Sequence, residues 1–486
     1  MDAGSSPRTR RTRAVPSTSF GSELKLTTRL GAPLALGELG WMSTYIVDAI
    51  LVGRMPHSAI AISASSLGNS LFYAIAFFGV GLLYGLDTLV SQAYGRGDAQ
   101  DGLFSLVQSL FLVAVCTPVV MLLSSLAPHA LTLIHVDGAI VSATVQYMSA
   151  LRWSAAPLLL YMGVRHYLQA IDRPGWVMIS LLTANLVNWL FDWLLIYGHG
   201  PFHAYGIAGS GWATCVVRFY MLGLLLLSLA LSLRKAPVKL RAGAWRPHLR
   251  RLRELSRLGW PIGLQNLEEF SLASFSTVLT STLGVTLLAA HQVVLDLNAF
   301  CFMIPLGIQA ASAVRTGQGA GRGDSAQVRR AGYASVAITT FWMIVAAFSF
   351  IAAPRLWASI YTTDSAVIAA TIPIFLICAA GSIFDGAQTV LQGALRGMGE
   401  TRIPFFASFA CTWLVGVPLS ALFVFHWHMQ LVGVWLGRLL SVLPLFVIVT
   451  TTWWHRVRRF REDHPEPEAQ RAPDPSTRAH AVPLPG

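Results

Sequence analysis

Eight acidic residues fall in or beside long apolar runs: Glu38, Asp48, Asp87, Asp192, Glu268, Glu269, Asp296 and Asp385. An acidic side chain at the centre of a membrane-spanning helix costs about 2.5–3.5 kcal/mol on insertion scales. No lysine accompanies these residues in their runs. A carboxylate without a partner in a poorly hydrated site favours its protonated form or binds a cation. Either property suits a protein that couples ion movement to something else.

Two constellations stand out. Asp48 lies in the first apolar run, fifteen residues after Pro33, a residue that kinks helices. Asn185, Asn188 and Asp192 follow one another at spacings of three and four, so a helix puts them on one face. Asp48 and Asp192 each lie about five or six residues, at ~1.5 Å each, from the same end of their runs, which places them at similar depth. Two carboxylates with amide oxygens form a hard, all-oxygen site for Na+ or a shared proton. The plainer alternative is that Asn188 and Asp192 only join helices. In the second half, Gln265, Asn266 and Glu269 share one helical face, and Asp385, Gln388 and Gln392 share another. Glu268 points about 100° away from Glu269. Glu38 is off the Asp48 face, Asp87 sits near a run's end, and Asp296 with His291 and Gln292 reads as helix–helix hydrogen bonding.

The chain that must position these groups has 486 residues, 54% hydrophobic and 12% charged. Soluble domains carry about 25% charged residues, so a soluble enzyme, a disordered protein and a nucleic-acid binder are all excluded despite the net charge of +12. Twelve candidate spans are predicted, near 28–53, 64–92, 103–126, 145–170, 174–198, 206–233, 256–282, 288–316, 331–353, 368–395, 403–426 and 430–454. Counting loops and tails alternately places 30 of the 35 Lys+Arg on one side. Positive residues mark the cytoplasmic side, so both termini are expected there. The N-terminus has no secretory signal pattern. All five cysteines lie in apolar runs without metal spacing and read as packing thiols.

The chain also repeats itself. Gln92-Ala-Tyr-Gly-Arg-Gly-Asp98 returns as Gln318-Gly-Ala-Gly-Arg-Gly-Asp324 at an offset of 226, and Gly31-Ala-Pro33 returns as Gly259-Trp-Pro261 at 228. Gly206-Ile-Ala-Gly209 has a weaker echo in Leu431-Val-Gly433-Val-Trp435. Six spans per half is an even number, so both halves enter the membrane the same way, as in parallel repeats. The expected fold is an all-α integral membrane protein of twelve transmembrane helices. They form two parallel six-helix lobes with pseudo-two-fold symmetry along the membrane normal. The expected divisions are a basic disordered tail (1–20), an N-lobe (21–235), a basic cytoplasmic linker (236–255), a C-lobe (256–456) and a disordered tail (457–486). The Gly-Arg-Gly-Asp segments lack the Lys-Ser/Thr of a phosphate loop and read as tight turns.

These residues resemble the multidrug and toxic compound extrusion (MATE) family over about 25–450. The likeness rests on Val47-Asp48-Ala-Ile-Leu-Val-Gly53, Leu89-Val-Ser-Gln92-Ala-Tyr-Gly95, Asn188-x-x-x-Asp192, Ala289-Ala-His-Gln292-Val and Leu395-Arg-Gly-Met-Gly399-Glu-Thr-Arg-Ile-Pro404. The resemblance implies export of organic cations in exchange for Na+ or H+, with no cofactor. It implies an N-lobe cation site similar to Asp48, Asn188 and Asp192, the set for Na+, with Thr214 as a fourth position. Glu269 and Asp385 look like the acidic residues of the NorM-like branch, and the DinF-like branch lacks such acids. The implied substrate contacts are Glu269, Asp385, Gln265, Asn266 and Gln388, with Glu269 and Asp385 also coupling cations. Glu38, Asp87 and Glu268 are not among the family's usual positions. The implied location is a bacterial inner membrane, among lipid, as a monomer and with no nucleic-acid partner. A lipid-linked oligosaccharide flippase of the same superfamily is the alternative. It calls for a basic cavity, whereas the intramembrane charges here are mainly acidic. A membrane-embedded enzyme would need a compact His/Asp or Ser/His set, and only His291 offers itself.

Overall fold

The computed structural model describes residues 19–55, 58–200, 203–235, 238–241 and 243–465. Among the described residues the chain is helical, with no strand. The N-lobe holds α1 (Phe20–Val52), α2 (Ser58–Leu83), α3 (Gly85–Gly95), α4 (Ala99–Ala130), α5 (Gly138–Leu151), α6 (Ala155–Ala170), α7 (Gly175–Tyr197) and α8 (Ile207–Lys235). The C-lobe holds α9 (Leu249–Ser281), α10 (Val285–Arg322), α11 (Ser325–Ala352), α12 (Pro354–Ser359), α13 (Ser365–Gly397), α14 (Arg402–Phe409), α15 (Val417–Phe425) and α16 (Gln430–Asp463).

These elements give the expected twelve spans. The second is α2 continued by α3. The fourth is α5 and α6 joined by a tight turn at Arg152–Ser154, and the eleventh is α14 and α15 joined through a π-helical turn at Ala410–Gly416. Among the described residues ten helical stretches are long and apolar enough to cross a membrane. The two spans that miss that measure have visible causes. The fourth is broken at Arg152. The seventh, α9, starts with Arg250, Arg251 and Arg253 and carries Gln265, Asn266, Glu268 and Glu269 at mid-length.

Some boundaries move. The seventh span begins at Leu249, inside the expected linker, and the second half of that linker is fastened to the N-lobe. Gln108 donates to the carbonyls of Ala244 (2.8 Å) and Arg246 (3.0 Å), and Arg251 pairs with Asp101 at 2.5 Å. The last helix runs to Asp463, past the expected end at 456. Residues 1–18 and 466–486 of the expected tails lie outside the described residues.

The exterior is apolar: Leu186 is 72% exposed and Phe341 and Phe348 each 70%. Large apolar side chains facing outward in such numbers belong against lipid. Inside, one apolar core fills the N-lobe around Phe72, Tyr147 and Tyr161, and two fill the C-lobe around Phe375 and Trp453.

The repeat explains how the lobes meet. Gly81 of α2 lies against Gly263 of α9, and its counterpart at an offset of 226, Gly307 of α10, lies against Ala35 of α1. Gly259 abuts Leu82, and its counterpart Gly31 abuts Ile308. Gly95 touches the Gln318 backbone, and Gly321 touches the Gln92 backbone. Each pair is the pseudo-two-fold image of the other, and each requires a residue without a bulky side chain. The next glycine of each motif makes the turn. Gly97 (φ 76°) and Gly323 (φ 70°) take the left-handed conformation that ends a helix. Asp98 and Asp324 then cap α4 and α11 by accepting from the amides of Asp101 (2.9 Å) and Gln327 (2.8 Å). The tight-turn reading of Gly-Arg-Gly-Asp therefore holds, and the motif also sets how closely the lobes approach.

Candidate functional site

Two cavities open between the lobes, one of about 360 Å³ in the N-lobe and one of about 300 Å³ in the C-lobe. Tyr84 and Asn266 line both, so the two meet at the lobe interface.

The N-lobe cavity is walled by Trp41, Tyr45, Tyr73 and Phe77, with Asp48, Asn188 and Thr214 on its lining. Asp48 lies in the last turns of the long helix α1, and Asn188 and Asp192 share the buried face of α7. Asn188 spends both amide hydrogens on carboxylates, donating to Asp48 and, at 2.8 Å, to Asp192. The carbonyl oxygen of Asn188 is buried without a hydrogen-bond partner, and the Asp192 carboxylate lies against both the Asp48 carboxylate and the Ser210 hydroxyl. Two carboxylates held together by one amide favour a shared proton or a bound cation. Thr214 lines the cavity but donates to the Ser210 carbonyl on its own helix, at 3.1 Å. Ser210, one turn earlier, is the hydroxyl nearest the acids. Only its position on the Thr214 face of α8 could have marked it in the sequence.

The C-lobe cavity contains Gln265, Asn266, Glu268, Glu269, Asp385, Gln388, Gln392 and Arg438. The two faces expected on α9 and α13 meet as one hydrogen-bonded chain. Gln265 donates to Glu269 at 3.3 Å and to Gln392 at 2.6 Å. Gln392 donates to Gln388, and Gln388 donates to Asp385 at 2.9 Å. A line of amides thus runs between two carboxylates on different helices. Both ends accept, so the chain is polarised outward toward negative charge. Asn266 faces the cavity at the junction with the N-lobe.

Several acids have partners that the sequence did not reveal. Arg165 and Arg315 fall toward the ends of predicted spans and Arg396 just past one, so all three are counted with the loop charges, but the structure buries them inside helices. Arg165 pairs with Glu38, Arg315 pairs with Glu23 through two bonds of 2.8 and 2.9 Å, and Arg396 approaches Asp87 at 3.5 Å. Glu38 and Asp87 therefore serve as structural ion-pair members. Asp296 accepts from Gln292 at 2.8 Å on its own helix, and His291 accepts from the Trp435 indole at 3.2 Å. Asp296 therefore bonds within its own helix, while His291 supplies the helix–helix bond. Arg218 lies in the N-lobe wall, donating to Ser154 and Tyr73 and stacked 4.7 Å from the Phe72 ring. All five cysteines are free thiols.

Polar contacts between the lobes gather at the end of the bundle that carries the Gly-Arg-Gly-Asp turns. Thr88 donates to the Arg396 carbonyl at 2.6 Å and Gln92 to the Gly397 carbonyl at 3.0 Å. Gln318 reaches the Ala170 carbonyl at 3.2 Å and Asp172 at 3.1 Å. At the centre of this closure Asp87 bonds His166 at 2.8 Å within its own lobe and forms an ion pair with Arg396 of the other at 3.5 Å. Asp87→Asn is expected to loosen the closure. Removing one charge from a buried cluster strands the others, so the ratio of open to closed forms should rise about tenfold or more. Pulsed electron paramagnetic resonance between labels at the exposed Arg96 and Arg402 measures this, and unchanged distances would refute it.

The comparisons with known proteins agree with this architecture. The MatE family model matches twice, over residues 33–194 and 261–422, which repeats the internal offset of 228. The chain is 31% identical over 430 residues to a probable multidrug resistance protein NorM of Bradyrhizobium diazoefficiens, covering 87% of this chain and 91% of that protein. It is 28% identical over 451 residues to the protein of the same name from Mesorhizobium japonicum, covering 91% and 96%. Its fold matches the crystal structure of the eukaryotic MATE transporter AtDTX14 with a TM-score of 0.79 at 20% identity, covering 91% and 99%. Twelve helices in two repeated lobes, two matches to one family model and relatives spanning nearly the full length make this chain a member of the MatE family, a multi-pass membrane transporter rather than an enzyme.

Proposed function

We propose that the chain is a secondary antiporter that exports cationic, amphipathic compounds in exchange for H+ or Na+, by alternating access between its lobes. The carrying observation is the C-lobe cavity, where Glu268, Glu269 and Asp385 face Arg438 as the one opposing charge not tied to another acid. An amphipathic cation would place its charge against the Glu269–Asp385 amide chain and its rings toward the aromatic N-lobe wall. Gln265, Asn266 and Gln388 would fix its orientation. The Asp48–Asn188–Asp192 site, with its paired carboxylates, would carry the coupling ion. Thr214 stands at its edge.

The end bearing the turns and the basic linker reads as cytoplasmic, with both termini there, in a bacterial inner membrane. Closure at that end then corresponds to an outward-facing state. Ion binding at Asp48 and Asp192 would bias the exchange between this state and the inward-facing one. One chain supplies both lobes, so a monomer suffices, with lipid as its surroundings and no cofactor. The flippase reading gains nothing from the structure, because Arg165 is paired with Glu38 and Arg218 is stacked and hydrogen bonded. Neither arginine of the N-lobe cavity is left free for a pyrophosphate.

The test is dye export by the purified chain in proteoliposomes under an imposed Na+ or pH gradient. Gradient-driven ethidium movement is expected for one ion. No movement under either gradient would sink the antiporter reading.

A further inference from the structure

We infer that Glu268 forms a second ion-binding site in the C-lobe, separate from the Glu269–Asp385 chain and built against the π-helical turn of the eleventh span. The ion is a proton or Na+, and the assignment rests on the antiporter reading for that choice. Adjacent positions on α9 point about 100° apart, so two neighbouring glutamates serve different surroundings. Both glutamates line the C-lobe cavity, but Glu269 joins the amide chain, whereas Glu268, only 6% exposed, turns toward Ser408 and Thr412. One Glu268 oxygen accepts from the Ser408 hydroxyl at 3.1 Å, and the Thr412 hydroxyl lies against the same carboxylate. The other oxygen, Oε2, is buried with no hydrogen-bond partner.

No described ion pair offsets Glu268. The titratable groups nearest it are Glu269 on its own helix and Cys411 on the facing turn; Arg438 lines the same cavity but acts on Glu269 and makes no described ion pair with Glu268. A buried charge with no counter-charge is too costly to keep, so the bare oxygen holds an ion. The facing backbone is unusual at this point. Ala410–Gly416 is π-helical, and the Val417 amide donates to the Thr412 carbonyl five residues back. Pro418 has no amide hydrogen to restore the regular pattern. Single π turns of this kind occur mostly at functional sites. Ser408 and Thr412, four residues apart across the start of the turn, present two hydroxyls to the carboxylate. The carboxylate, with Oε2 bare, and two hydroxyls make an oxygen cage for one small cation.

The experiment counts ions on the purified full-length chain in detergent. Radioactive Na+ binding at saturation and proton release at fixed pH are measured for the wild type, Glu268→Gln, Glu269→Gln and the double variant. Glu268→Gln is expected to lose one ion per chain in whichever arm the wild type shows, and the double variant should lose more than Glu269→Gln alone. An unchanged count in monodisperse Glu268→Gln overturns the site. Should that variant fail to give monodisperse protein, Ser408→Ala decides, with ion affinity expected to fall about tenfold and an unchanged affinity overturning the proposal. Ion counting does not require transport, so failed dye export in liposomes would speak against the antiporter reading and not against this site.

Discussion

Asp192→Asn is expected to cut ion-driven export about 100-fold while leaving the protein folded. Asp192 is fully buried, and its partner Asn188 also holds Asp48. An asparagine there keeps a carbonyl oxygen for Asn188 and removes the charge that requires an ion. The cost of a bare charge in this setting is about 3 kcal/mol, and the ion that offsets it contributes a similar amount. At 1.4 kcal/mol for each factor of ten, coupled transport should fall about 100-fold. Thermal stability should stay level or rise, because a buried charge has gone. Asp48→Asn should behave alike, since one amide joins both acids. Proteoliposome dye export with a parallel melting curve measures both quantities. A folded Asp192→Asn variant that still exports under the gradient would rule out the N-lobe coupling site.

Glu269→Gln and Asp385→Asn are expected to weaken the binding of a monovalent organic cation about 10- to 100-fold each, while leaving a neutral compound of the same shape unaffected. The acids are linked through Gln265, Gln392 and Gln388, so neutralising one alters what the chain of amides offers the other. The double variant should therefore lose less than the product of the single losses. Gln392→Leu removes the central link, which makes the two effects independent. Ethidium anisotropy on the purified chain gives all four values. Multiplicative losses with the chain intact would show that the amides merely fill space, and equal losses for the neutral compound would show that charge is not what the cavity reads.

The lobes repeat where they pack and differ where they act. The glycine contacts at the interface come in symmetric pairs. The acidic groups do not: the α1 residue that matches Glu269 at an offset of 228 is Trp41, which lines the N-lobe cavity. The two-fold axis thus builds a pair of like walls that carry different side chains. The N-lobe presents aromatic rings and a small oxygen site, and the C-lobe presents the wider acidic surface.

Much of this was legible in the chain itself. Hydropathy and the balance of positive charge determined twelve spans, because a span must be apolar over a fixed length wherever it sits in the bundle. The near-constant offset of the Gly-Arg-Gly-Asp and Gly-x-Pro segments determined the two lobes and their shared orientation. Helical spacing alone put Asn188 with Asp192, Gln265 with Glu269, and Asp385 with Gln388 and Gln392. Which faces meet was beyond its reach, since spacing places residues around one helix and says nothing about the neighbour. Depth along the spans already grouped Asp48 with Asn188 and Asp192; only the tertiary structure made that contact, joined Gln265 to Gln392, and turned Glu268 toward Ser408. It also decided which acids are engaged. Arg165 and Arg396 lie 127 and 309 residues from Glu38 and Asp87, and a long guanidinium at a span's end reads as a loop charge until packing shows it inside, against a carboxylate.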